Sequence, residues 1–198
     1  NRTLAKAETL AEELSCAAYE TVDQLLEEAA LDALVVATPN NAHLEPVTKA
    51  AQRGVHIFLE KPMGLHVQEC RAMIEAAEDA GVRLFMGHPQ RFMGAVARVK
   101  RAVAEGAIGR PVALRVERFF WVDVHHKAPG WKTKKSLSGG HLFHHIHEID
   151  TARWILGHPA GGLVLVENLA HEAAGDDAED DVVQSGVRGE AEADQRKA

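Results

Sequence analysis

Val55-His56-Ile57-Phe58-Leu59-Glu60-Lys61-Pro62 decides the fold. Its first half is a short apolar run with β-branched residues, bounded by Gly54. That is how a strand in a covered parallel sheet reads. Its second half places a lysine just past the strand end. Pro62 restricts Lys61 to extended or turn geometry, which points an ammonium across the sheet edge. In an open α/β sheet ligands bind along that edge. A surface Glu-Lys pair is the plainer reading of the same residues.

Working outward, the same cycle appears on both sides. Ala33-Leu34-Val35-Val36-Ala37 reads as a strand covered on both faces and stopped by Pro39. A helix follows from about residue 42 to Arg53 and ends at Gly54, a C′ glycine. A second helix spans Val67 to Ala80 and closes at Gly81, ahead of a strand over Val82 to Gly87. Strand and helix alternate at βαβ spacing, which predicts a right-handed parallel sheet. Before it come a helical stripe, Leu4, Ala7, Leu10, Ala11 and Leu14, and a helix capped at Thr21. No Gly-x-Gly-x-x-Gly is present. A Rossmann unit begins with a strand and a glycine turn, so the chain reads as lacking its first βαβ portion.

Beyond Phe92 the pattern changes. A helix is expected from Phe92 to Glu105, with Gly106 and Gly109 bracketing a turn. Val112 to Phe119 alternates partly at period 2 and predicts a sheet strand. Trp121 to Gly140 reads as a long irregular segment, functional or mobile. His141 to Leu156 predicts a helix stopped by Gly157, and Val164-Leu165-Val166 a further strand. The last 28 residues carry nine acids against three basic side chains. This favours disorder, or a lead-in at Asp181-Val182-Val183 to a strand whose partners are absent. The fold class is α/β: a partial Rossmann-like parallel sheet over residues 1–91, then a partial α+β domain with an antiparallel or mixed sheet over 92–198.

Composition sets outer limits. The 198 residues carry a net charge of −7 and are 46% hydrophobic, enough for one domain with a real core or two small ones. Net negative charge argues against nucleic acid. No apolar run reaches the 18 residues or so of a membrane span. Cys16 and Cys70 read as separate thiols, which fits a reducing, cytoplasmic compartment.

The candidate site residues gather at the strand ends. Thr38, Pro39 and Asn40 occupy a strand-to-helix turn, where Asn40 is placed to cap the helix and His43 to reach the same crevice. The plainer reading is a capped helix start. Arg91 suits a phosphate, a substrate hydroxyl or an acid on the surface. Trp131 and neighbouring lysines suit a polar substrate mouth or a solvated loop. Seven of the twelve histidines lie between His125 and His158. His141 and His145 share one helix face, as do His144 and Glu148, and Asp150 stands i,i+3 from His147, where it can orient the imidazole. Such residues suit acid–base chemistry or a metal, but no complete His-Glu-x-x-His is present and no metal ligand is assigned.

This ordered set resembles the Gfo/Idh/MocA family of NAD(P)-dependent oxidoreductases. The matching pieces are Ala37-Thr38-Pro39-Asn40-x-x-His43, Gly54-Val55-His56-x-x-x-Glu60-Lys61-Pro62, Arg91-Phe92, Gly139-Gly140-x-Leu142 and His147-x-x-Asp150. The resemblance implies a Rossmann domain followed by a mostly antiparallel α/β domain, with a sugar, inositol or polyol as substrate. It implies NAD or NADP held by Thr38, Pro39, Asn40, His43, Glu60, Lys61, Pro62 and Arg91, and a homo-oligomer for the intact protein. It also implies that Lys61 and His147 flank the reacting carbon. The family's usual aspartate before the helix histidine falls on Phe143, or on His144 with one residue deleted, so either His144 is the relay or this branch takes an unusual substrate. Two other classes compete: a metal-dependent hydrolase or lyase built on the 141–150 histidines, and a non-catalytic Rossmann-like binding or assembly module.

Overall fold

The computed structural model describes residues 3–116, 130–144, 146–157, 161–162 and 187–188. Two compact units divide the chain, residues 1–87 with Ser136–Ser138, and residues 88–135 with 139–198. The boundary falls at Gly87, so Arg91 belongs to the second unit rather than to the first as the sequence suggested.

The first unit opens with helices α1 (Leu4–Leu14) and α2 (Val22–Glu28). Thr21 caps α2 by accepting a hydrogen bond from the Gln24 amide at 3.1 Å. Strand β1 (Ala33–Val36), helix α3 (Leu44–Gln52), strand β2 (His56–Glu60), helix α4 (Val67–Asp79) and strand β3 (Leu84–Gly87) follow. The strands form a parallel sheet in the order β1-β2-β3. Gly54 and Gly81 take left-handed backbone after α3 and α4, as a C′ glycine does.

The core lies on one sheet face. Leu34, Val36, Ile57 and Leu59 pack there with Leu26 of α2, Val47, Ala50 and Ala51 of α3 and Met73 of α4. Each large side chain fully buried there contributes about 1.5–3 kcal/mol. The reading of β1 as covered on both faces is corrected. Val35 is 67% exposed and stands in register with Phe58 and Phe85, which stack at 5.5 Å. An apolar run reports that a strand is apolar, not which face receives a helix.

The second unit begins with a 3₁₀ turn at Pro89–Phe92, then helix α5 (Gly94–Ala104). The helix expected from Phe92 therefore starts later, after Pro89 has opened a tighter turn. Gly106 and Gly109 take positive φ, as their turn requires. The strand expected at Val112–Phe119 is not formed in its described part, residues 112–116. Alternation alone does not make a strand without a neighbour for its backbone groups, and Val112 is 95% exposed. Within the expected irregular segment, a 3₁₀ turn at Trp131–Thr133 and a short helix α6 (Lys135–Ser138) occur. Helices α7 (His141–His144) and α8 (Ile146–Leu156) occupy the expected helix, and Gly157 follows with positive φ. Strands β4 (Gly161–Gly162) and β5 (Val187–Arg188) pair antiparallel. His125, His126, His145, His158, Val164–Val166 and the acidic tail outside residues 187–188 lie outside the described residues.

Candidate active site at the strand ends

In the first unit the turns after β1 and β2 emerge at the same edge, because the strands are parallel neighbours. The turn after β1 is a 3₁₀ turn, Asn40–Ala42, entered through Pro39. The Thr38 hydroxyl donates to the Ala42 carbonyl at 2.9 Å, and Thr38 is exposed. Asn40 does not cap α3. It is buried, and its Nδ2 donates to the Ser138 carbonyl at 2.7 Å. The 3₁₀ turn separates Asn40 from the helix start, so His43 becomes the residue before α3.

His43 is corrected as a cofactor contact. Its ring is 1% exposed. Nδ1 lies 2.9 Å from the Pro62 carbonyl and 3.2 Å from that of Met63, and Nε2 lies 3.0 Å from the Thr38 carbonyl. A ring surrounded in this way faces backbone, not a crevice. Pro62 is buried and its peptide bond with Lys61 is cis. Lys61 is half-buried, and its amide donates to Glu60 Oε2 at 3.3 Å. Gly87 ends β3 where a Cβ would stand 3.1 Å from the Phe58 ring, so a side chain there requires the ring to give by a few tenths of an ångström.

In the second unit a polar network joins the Pro89–Phe92 turn to α8. Arg91 donates to Asp150 with Nε at 2.8 Å and also with Nη2, and its guanidinium lies 5.9 Å from the Trp154 ring. The hydrogen bond to Asp150 holds the arginine above its usual pKa, against the opposing effect of burial. His88 Nδ1 is 3.6 Å from the same carboxylate. Thr151 donates to Gln90 Oε1 at 2.8 Å, and Gln90 donates to Glu148 Oε1 at 3.5 Å. Asp150 was expected to orient His147; its carboxylate turns to Arg91 and His88 instead, since it lies on the α8 side that meets the 3₁₀ turn. Arg91, expected at a cofactor, is accordingly the ion-pair partner of Asp150. His147 is buried and His144 half-buried.

Sequence reasoning missed Ser138, His88, Gln90, Thr151 and Trp154. Nothing local marks a carbonyl 98 positions away as the partner of Asn40. Among the described residues no group of three or more His, Cys, Asp or Glu is arranged to hold a metal. No helix of the described residues is long and apolar enough to cross a membrane.

Strand order, parallel direction and the Glu-Lys-Pro turn define the class, and comparison with known proteins agrees. Residues 1–88 match the Gfo/Idh/MocA oxidoreductase family, NAD-binding Rossmann fold, and residues 96–192 match the Gfo/Idh/MocA C-terminal domain. The chain belongs to this family. It is 38% identical over 177 residues to 2,7-anhydro-N-acetylneuraminate hydratase of Escherichia coli K12, covering 89% of this chain and 47% of that protein. It is 33% identical over 170 residues to 1,5-anhydro-D-fructose reductase of Ensifer adhaerens, covering 85% and 50%. The crystal structure of an NAD-binding oxidoreductase from Klebsiella pneumoniae superposes with a TM-score of 0.70 at 28% identity, covering 79% of this chain and 43% of that one. Further relatives are named as inositol 2-dehydrogenases. The chain spans about half the length of the curated relatives it matches.

Proposed function

We propose that the protein is an NAD(P)-dependent oxidoreductase of a sugar, inositol or related polyol, with Lys61 and His147 as its proton-transfer groups. The observation that carries this is the Lys61 turn. It follows a central strand of a parallel sheet, on the edge that also bears the Thr38 turn. That edge is the usual seat of a dinucleotide. Its groups suit one: an exposed threonine whose hydroxyl oxygen still accepts, a lysine that donates, and helix α3 starting directly behind them.

When bound, the nicotinamide takes or returns a hydride. Lys61 Nζ holds a proton against the substrate oxygen or receives it, and His147 is the second proton-transfer group, as the family resemblance implies. His144 stands in for the family's carboxylate as the relay. Thr38, Pro39, Glu60 and Pro62 form the cofactor side, Asn40 supports their turn from behind, and Arg91 sets Asp150. Among sugars, those with an internal ether bridge are the first to assay, because three relatives carry anhydro sugars in their names.

The test is a Lys61→Ala substitution in the protein, with hydride transfer followed by nicotinamide absorbance on a panel of anhydro sugars, inositols and aldoses. Turnover is expected to fall by about two to four orders of magnitude, with cofactor affinity changing less. Wild-type turnover in the variant would remove Lys61 from its role.

A further inference from the structure

We propose that His43 is a positioning residue that braces the Lys61 turn against the Thr38 turn. The inference rests on the reading of Lys61 only where turnover is the readout. The brace has two ends. On one, Nδ1 meets the carbonyls of Pro62 at 2.9 Å and Met63 at 3.2 Å; on the other, Nε2 meets that of Thr38 at 3.0 Å. All of these are backbone oxygens, which only accept, so a neutral ring donates to one turn through its single N–H and packs its other edge against the second turn; donating to both takes a proton on each nitrogen. A buried polar side chain is kept by its hydrogen bonds, and this one is 1% exposed.

The brace is rooted in the core. The His43 carbonyl accepts from the Val47 amide at 3.3 Å at the start of α3. Val47, Ala50 and Ala51 of that helix are fully buried against the sheet. The backbone on both sides of Lys61 is therefore held. Glu60 Oε2 takes the Lys61 amide at 3.3 Å, and His43 takes the carbonyls that follow. A flexible loop would let the ammonium wander; this turn sets where its stem starts. Displacement of a reacting group by about 1 Å costs as much as 100-fold in rate, so a residue that never touches substrate can govern turnover. A rigid planar ring with a nitrogen on each edge reaches both turns at once, and an imidazole is the side chain with that shape.

The shape also separates the two ends. An asparagine at position 43 places its amide nitrogen near the Nδ1 position and keeps the Lys61 end. A glutamine reaches the Nε2 position and keeps the Thr38 end. A leucine keeps neither. The four proteins, wild type, His43→Asn, His43→Gln and His43→Leu, are treated with limiting formaldehyde and cyanoborohydride. Methylation of Lys61 is read by peptide mass spectrometry against the other lysines, and folding by circular dichroism.

Lys61 methylation relative to the other lysines is expected to shift in His43→Leu and His43→Gln and to return toward wild type in His43→Asn. Where hydride transfer is measurable, kcat is expected to follow the same order, falling about 10–100-fold in His43→Leu. Asparagine no closer to wild type than glutamine overturns the proposal, as does a folded leucine variant methylated at Lys61 at the wild-type rate. If the leucine variant does not fold, the order of asparagine and glutamine decides. A Lys61→Ala protein of full turnover would remove the chemistry assigned to Lys61 and leave the methylation result standing, so the two failures are distinguishable.

Discussion

The strand-end turns of the first unit and the polar network of the second are both built from buried or half-buried polar side chains, but they end on different partners. Asn40, His43 and Thr38 all meet backbone carbonyls. Arg91, Asp150, Gln90, Thr151 and Glu148 meet one another. A bond to a carbonyl fixes the path of the chain, and no substitution can move that carbonyl's chemistry. A bond between side chains fixes only rotamers, and either partner can be replaced together with the other. The first arrangement suits a turn that must present one lysine. The second suits a helix held against a neighbouring turn.

The largest test of this contrast is catalytic. In the protein, His147→Ala is expected to lower kcat by about 10²–10⁴-fold, the range for a proton-transfer group. Arg91→Met breaks the network without touching the reacting atoms and should lower it by less than about tenfold. Steady-state rates on a responsive sugar or inositol measure both. Equal losses would place Arg91 in the chemistry and dissolve the distinction.

Stability gives the next. Asn40→Ala leaves the Ser138 carbonyl without its buried donor and should cost about 1–3 kcal/mol. Gln90→Ala leaves a Thr151 hydroxyl that can rotate to another acceptor and should cost about 0.5–1.5 kcal/mol. Urea unfolding of the two variants reads the difference, and a costlier Gln90→Ala would reverse the ranking of the two regions.

The smallest effect is ionic. Arg91 is 39% exposed against 10% for Asp150, so solvent screens their pairing. A double-mutant cycle with Arg91→Met and Asp150→Asn should give about 1 kcal/mol or less, shrinking as salt rises. Because the arginine is raised above its usual pKa, its share of stability is fully present below the unfolded value and is lost only as pH rises through the folded one. Stability from this pair should therefore not decline between pH 7 and about 10. A coupling that grows with salt, or vanishes by pH 9, would contradict the pairing.

Most of the parallel sheet was legible because its signals are local. Apolar runs of four or five residues, a proline or glycine after each, and a helix-length interval specify β1, β2 and β3 with little else possible. Thr21 as a cap, Gly54 and Gly81 as stops, and two separate thiols were readable for the same reason, and Cys16 and Cys70 are free. The strand over Val112–Phe119 was misread in its described part, because a strand is a relation between two segments and alternation describes only one.

The sequence by itself determined the order of strands and helices, the lysine past β2, and membership of an oxidoreductase family through short motifs whose spacing is covalent. Only the tertiary structure decided what those motif residues do. Asn40 looks like a cap and is a donor to Ser138; His43 looks like a ligand and is buried among carbonyls; Arg91 looks like an anion binder and is the partner of Asp150. Each outcome depends on which backbone oxygen or carboxylate arrives from a distant part of the chain. A side chain's hydrogen-bonding capacity is written in its type, but its partner is written in the fold.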